Sequence, residues 1–217
     1  MLFDHGRRGT YYAAMGLMGS SASAGPMFTR GDLDDLLTNG HELACHTFSH
    51  TSCLSVDTEE FVNGCAENRR KAAAMLSGYE LRNFSFPHGH ITLAAKYRLR
   101  SAYDTCRSIE WGINSNPADL GFLRANPIYS RLDIETLKRL IHANSRTNGW
   151  LVLYTHDVAT HPSPYGCTPE YFEEVLRWAL ESGADIVTIR EAASRYKLCS
   201  TASVLERAER ACSQIRD

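Results

Sequence analysis

Apolar and polar positions along this chain keep changing their period, and each change marks an element. Residues 8–17 contain Gly9-Thr10-Tyr11-Tyr12-Ala13-Ala14, a short aromatic run that predicts a strand. Small residues fill 19–26 and predict a loop. A helix is expected over 29–39, with Thr29 as N-cap, Asp32 at the third helical position and Gly40 closing it from C′. Residues 41–45 read as the next strand and 57–76 as a long amphipathic helix ending before Gly78. A short strand over 83–86 is stopped by Pro87-His88-Gly89. The pattern continues with a helix at 93–100, a strand at 102–106, a helix at 133–144 and an apolar strand at 150–154 that ends at Thr155-His156-Asp157. A helix over 168–182 has Pro169 in its first turn and Gly183 beyond its end. Residues 186–189 read as a last strand, followed by a helix from Glu191. Strands alternating with helices of ten or more residues predict a parallel sheet. The 217 residues suffice for one large core, since single α/β barrels commonly run about 200–250 residues. The expected layout is one α/β domain over 1–195 and a charged helix or tail over 196–217.

Charge and cysteines narrow the function classes. A formal net charge of -2 leaves no basic footprint for nucleic acid. No Gly-rich phosphate loop is present. No apolar stretch approaches the roughly 18 residues of a membrane span, and the charges at Arg7 and Arg8 follow the first apolar residues instead of preceding a signal core. The 7 cysteines are odd in number and form no Cys-x-x-Cys pair. Free thiols in a reduced, cytoplasmic compartment are therefore expected.

The chemistry concentrates at His46-Thr47-Phe48-Ser49-His50. Two imidazoles four residues apart lie on one face of a helical turn and can share one metal ion. Zinc-protease helices use the same spacing but carry Glu beside the first His, where Thr47 stands here. His88 and His156 also directly follow predicted strands. In a parallel α/β barrel such positions are the βα loops, where active sites are built.

The text around the pair is Gly40-His41-Glu42-Leu43-Ala44-Cys45 before it and Thr51-Ser52-Cys53-Leu54 after it. This run resembles the second motif of the polysaccharide deacetylases, the family that includes the rhizobial chitooligosaccharide deacetylases. That motif reads His-(Ser/Thr)-x-x-His after Gly-His-Glu and a small apolar run. The likeness extends over about 1–195. Residues 6–17 resemble the family's second strand. Val152-Leu153-Tyr154-Thr155-His156-Asp157 is similar to its fifth motif, Leu-x-x-His, and 168–189 to its closing helix and strand. Ser85-Phe86-Pro87-His88-Gly89 matches the third motif in part: many members have Arg at Ser85 and an aromatic at His88. No fourth motif stands out among Asp104, Arg107, Trp111, Asp119 and Arg124. The family's opening Thr-Phe-Asp-Asp-Gly, which holds the general base and a third metal ligand, is not in this sequence. Phe3-Asp4-His5-Gly6 is similar by letters but lies too close to the following strand. The resemblance thus implies an incomplete (β/α) barrel of the NodB-homology type, beginning after the family's first strand and most of its first helix.

The resemblance also implies hydrolysis of an N-acetyl group on an N-acetylated saccharide, with a divalent metal, zinc by expectation. His46 and His50 would be metal ligands and His156 the acid that protonates the leaving amine. Pro87, His88 and Tyr154 would line the saccharide site, with Tyr12 as a further flank and His90 as an extra imidazole nearby. Two histidines make a weak metal site. Loss of a general base costs about 10²–10⁴-fold in rate, so impaired activity is expected of the chain as written. Two other readings stand beside this one. The first is a non-catalytic saccharide- or partner-binding member of the same fold; the second is an unrelated α/β protein with incidental histidines. No nucleic-acid or membrane partner is expected.

Overall fold

The computed structural model describes residues 1–22, 25–115 and 117–196; the expected tail lies, from residue 197 on, outside the described residues. In chain order the elements are β1 (Thr10–Ala13), β2 (Ser21–Ala22), β3 (Gly25–Pro26), α1 (Arg30–Thr38), β4 (Glu42–Cys45), α2 (Thr58–Met75), β5 (Asn83–Ser85), α3 (Leu93–Leu99), β6 (Thr105–Arg107), β7 (Asn126–Pro127), α4 (Ile134–Thr147), β8 (Leu153–Tyr154) and α5 (Pro169–Glu181). Local chemistry sets the helix starts. Thr29 and Asp32 form a reciprocal capping box at α1. Asp57, Asp133 and Thr168 each accept a backbone N–H at the first turns of α2, α4 and α5. Gly40 and Gly183 take positive φ just beyond α1 and α5, as C′ residues do.

Strands β1, β4, β5 and β6 form one sheet in that order, and every pair is parallel. Leu123 continues the arc through a parallel bridge to Arg107, and β7 and β8 form a further parallel pair. Parallel neighbours need crossover helices, which is what α1, α2 and α3 supply. The result is an arc of strands wrapped by helices, an incomplete (β/α) barrel. Phe61, Phe84, Phe86, Leu33, Leu43, Leu81 and Leu99 fill the core beneath the first half. Leu137, Ile141, Val175 and Trp178 pack α4 against α5 in the second.

Several expectations change at element edges. Residues 184–188 make no ladder, and a helix starts at Ile189, not at Glu191. The apolar run 186–189 is therefore not a strand: among the described residues no strand pairs with it. Ile189 instead joins Ala125 and Val152 in a small cluster. The strand expected over 150–154 shortens to β8, because Trp150 pairs antiparallel with Asn114. Strand β7 and the β2–β3 hairpin were not expected, since Asn, Pro, Gly and Ser are poor strand formers.

Candidate functional site

The site is assembled at the C-terminal ends of β4, β5, β6 and β8. As β4 ends, the backbone N–H of His46 donates to Ala13 O on β1. The ring then turns toward β5, where Nδ1 lies 2.7 Å from Ser85 O. A carbonyl oxygen only accepts, so Nδ1 carries the proton and Nε2 keeps its lone pair. Burial, then the neighbouring His50, pushes the His46 pKa down to about 3. The ring is neutral at ordinary pH, the state a metal or a hydrogen-bond donor requires.

The His46–His50 turn is not the helical turn expected. Thr47 and His50 both take positive φ, 60° and 57°, a region that β-branched and bulky residues rarely enter. The Thr47 hydroxyl, buried with its residue, accepts the Thr51 N–H at 3.0 Å and ties the turn shut. The two imidazoles still converge, edge to face, with centroids 4.7 Å apart. His88 extends the row, 4.6 Å from His50. It too has positive φ, 58°, between the buried Pro87 and Gly89. A Cβ on Gly89 would come within 2.3 Å of the Ile109 side chain, so the chain must be glycine there. Pro87 shapes this turn from beneath and has little surface to offer a saccharide. His90 leans away toward Ser52 Oγ at 2.8 Å.

His156 follows β8 at the exposed rim. Its backbone N–H and ring Nδ1 both address Tyr165 O, at 3.1 Å and 3.2 Å. That fixes the same tautomer as in His46 and leaves Nε2 unprotonated. Burial lowers its pKa, with Arg107 and His88 adding to the effect. His156 also depresses the pKa values of His46 and His50, so it shares their end of the barrel. A neutral ring with a free Nε2 begins as a proton acceptor, not as the resting acid. Tyr129, Tyr154 and Tyr165 surround it at 6.1, 6.2 and 5.7 Å between centroids. Asp157 next to it is occupied elsewhere, accepting Ser163 N–H and hydroxyl at 2.8 and 2.5 Å.

Sequence reasoning named Arg107 without a role. The structure places it at the end of β6, in register with Ser85, and buried at 8% exposure. Its guanidinium lies over Tyr154 at 4.5 Å and Tyr12 at 5.0 Å. The sequence signal was the Ser85 position, where many resembling proteins have Arg; the guanidinium here comes from the neighbouring strand. Tyr129 and Tyr165 were also missed, because nothing local marks them.

The donor set does not complete a metal centre. Among the described residues no group of three or more His, Cys, Asp or Glu stands where it could hold a metal ion. A catalytic zinc site normally has three protein ligands and a water, and His46 with His50 supplies two.

Comparison with known proteins agrees with the fold. Residues 2–103 match the family model described as Polysaccharide deacetylase. No curated protein matches it by sequence. Among solved structures, the chitin deacetylase of the fungal pathogen Colletotrichum lindemuthianum aligns with a TM-score of 0.60 at 15% identity, covering 88% of this chain and 79% of that one. A family 4 acetyl xylan esterase from Clostridium thermocellum, in complex with a cobalt ion, aligns at 0.57 with 16% identity over 88% and 78%. The Streptococcus pyogenes deacetylase PplD, in complex with acetate, gives 0.55 at 17% over 64% and 61%. At such identities the likeness is one of fold. The chain spans less than two thirds of several bacterial deacetylases it matches, 36%, 61% and 40% in three cases.

Proposed function

We propose that this chain is a carbohydrate de-N-acetylase domain, a hydrolase that cleaves the acetamide of an N-acetylated amino-sugar unit. One observation carries the reading: three separate strand ends bring His46, His50, His88 and His156 to one end of a polysaccharide-deacetylase fold. Amide hydrolysis needs a water relieved of a proton and an amine given one. His156 Nε2 is the proton carrier in this scheme. Held by Tyr165 O, it accepts from water first and donates to the leaving nitrogen afterwards. Tyr154 and His88 flank the sugar.

The reading carries a divalent metal, zinc by the preference of imidazole donors. A bound metal polarises the acetamide carbonyl and acidifies water. His46 and His50 are the residues that would hold it, through their unprotonated nitrogens. They do not complete such a site, so no step is drawn through it. Among the described residues the cluster offers no free carboxylate base, since Asp157 is held by Ser163, which favours a second reading: a saccharide-binding member of the fold without turnover.

The test is acetate release from N-acetylated chitooligosaccharides, measured beside metal content after incubation with zinc or cobalt. Release that drops by about 10²–10⁴-fold in His156→Ala supports the enzyme and the role of His156. Saccharide binding without release assigns the chain to the second reading. Equal metal content in wild type and a His46→Ala, His50→Ala double variant removes the metal from either.

A further inference from the structure

His156 keeps a lone pair on Nε2 because one carbonyl holds the proton of the other ring nitrogen. That carbonyl, Tyr165 O, accepts the backbone N–H of His156 at 3.1 Å and the ring Nδ1–H at 3.2 Å. A carbonyl oxygen has two lone pairs and can serve both donors. It belongs to a loop: residues 157–167 leave the rim after β8 and return before α5. The neck of the loop is closed by the Cys167 N–H to Asp157 O at 3.0 Å and the Ala159 N–H to Cys167 O at 3.1 Å. Tyr165 lies near its end and is 56% exposed. Exposed loops are the more mobile parts of a fold. A carbonyl here keeps its place only if the backbone around it is fastened.

The fastening converges on residues 163–166. The Asp157 carboxylate reaches across the loop, where Oδ2 accepts the Ser163 N–H at 2.8 Å and Oδ1 accepts the Ser163 hydroxyl at 2.5 Å. The same hydroxyl oxygen accepts the Tyr165 N–H at 3.2 Å. A line of hydrogen bonds thus runs from the carboxylate through Ser163 to Tyr165, the residue that holds His156. An ionised acceptor makes such bonds roughly twice as strong as a neutral one. Gly166 leaves the room, since a Cβ there would stand 2.4 Å from Asp157 Oδ1. From the other side, Arg131 Nε donates to Pro164 O at 2.8 Å and the Ser130 N–H to Gly166 O at 3.0 Å. The Arg131 guanidinium also covers the rings of Tyr129 and Tyr165. Asp157 adjoins His156 in sequence, yet among the described residues its carboxylate serves Ser163 and not the imidazole.

We propose that Asp157 is a positioning residue for His156, acting through the Ser163 hydroxyl and the backbone of Tyr165. The carboxylate fixes the loop, the loop fixes the carbonyl, and the carbonyl fixes which ring nitrogen carries the proton. Without this clasp the Nδ1–H loses its acceptor, and the ring also adopts the form protonated on Nε2. In that form Nε2 has no lone pair with which to accept a proton from water. The consequence for turnover rests on the deacetylase reading; the consequence for the tautomer does not.

The test uses the full chain with isotope-labelled histidine at about pH 8, above the ordinary histidine pKa. Two-bond proton–nitrogen correlation spectra separate the tautomers of a neutral ring, and the His156 signals are those that vanish in His156→Ala. Wild type should show the proton on Nδ1. In Asp157→Ala the signals should move toward the pattern of a proton on Nε2, and Ser163→Ala should move them the same way. Ser163→Thr keeps the hydroxyl and should keep the wild-type pattern. Acetate release from N-acetylated chitooligosaccharides is followed beside the spectra. In Asp157→Ala kcat should fall by about 10²-fold with KM little changed, the cost of misplacing a reacting group by about 1 Å. A folded Asp157→Ala protein with the wild-type His156 pattern overturns the proposal, whatever its Tm or activity. Should Asp157→Ala not fold, Ser163→Ala decides by the same pattern. A changed tautomer with undiminished kcat overturns the role in turnover. A changed tautomer in a chain whose wild type releases no acetate supports the clasp and counts against the deacetylase reading alone.

Discussion

One carbonyl decides what His46 can do. By accepting the Nδ1–H hydrogen bond, Ser85 O leaves the basic Nε2 free beside His50 at the mouth of the barrel. Removal from water then makes a second proton expensive, which holds the pKa near 3. An unfolded histidine titrates near 6.5. Between those values the unfolded chain binds a proton that the folded chain refuses. The contribution is therefore fully present above pH 6.5, declines as the pH falls toward 3, and is gone below it. His50 and His156 shift in the same direction and add to the loss. Unfolding by urea at about pH 7.5 and about pH 5 should show stability falling by on the order of a few kcal/mol. In His46→Gln that difference should shrink. An unchanged pH slope in the variant would place the acid sensitivity elsewhere. The His46–His50 pair was readable from sequence because its spacing is local. Its tautomer was not, since the deciding carbonyl lies 39 residues away.

At the scale of elements, α2 is held to the sheet by a polar tie as well as by its apolar face. Asn68, fully buried on that helix, accepts the Met15 N–H at 2.8 Å and donates to Ala13 O at 2.9 Å. It meets the Met15 N–H where β1 ends and gives Ala13 O a second donor beside the His46 N–H. Asn68→Leu would leave the buried Met15 N–H unmet, at about 1–3 kcal/mol, whereas Ala13 O would keep the His46 N–H. Chemical denaturation should show a loss on the order of 1–3 kcal/mol, less whatever the leucine recovers by packing. A loss under about 0.5 kcal/mol, the range of ordinary surface substitutions, would show that the tie is not structural. The helix itself was legible within a residue or two, because Asp57 and the apolar period mark its start and face. Asn68 was not, since a polar residue in a helix looks solvated until its partners are known. Strands were read less well for a related reason. Their length depends on who pairs with them, and the apolar run at 186–189 shows that β-propensity without a neighbour makes no ladder.

The whole molecule is closed at the opposite, N-terminal ends of the strands by one carboxylate. Glu42 belongs to the Gly-His-Glu run that pointed to the family, yet it lies away from the histidine row and only 3% exposed. Its Oε2 accepts from Thr10 Oγ1 at 2.7 Å and from Arg190 N–H at 2.9 Å. Its Oε1 accepts from Asn83 Nδ2 at 2.6 Å, and Asn83 in turn accepts from Thr105 Oγ1 at 2.8 Å. Thr10 Oγ1 also accepts the Ile189 N–H at 2.8 Å. Strands β1, β4, β5 and β6 and the helix that starts at Ile189 thus share one polar network. That network brings the end of the described chain back to its first strand where no ladder does so. The motif was visible in the sequence, but its division was not: His46 and His50 face the mouth, whereas His41 and Glu42 hold the base. Gly9 N–H donates to His41 Nδ1 at 3.0 Å as part of the same base. Glu42→Ala would strand the Thr10, Asn83 and Arg190 donors together, and a loss of about 3–5 kcal/mol is expected. Hydrogen exchange separates this from a general weakening. The amides of Ile189 and Arg190 lose their acceptors or the residue that orients them, so their protection should fall further than that of Phe84 in the centre of the sheet. Equal loss at all three amides would mean that Glu42 contributes to the core at large and does not fasten the two ends of the arc.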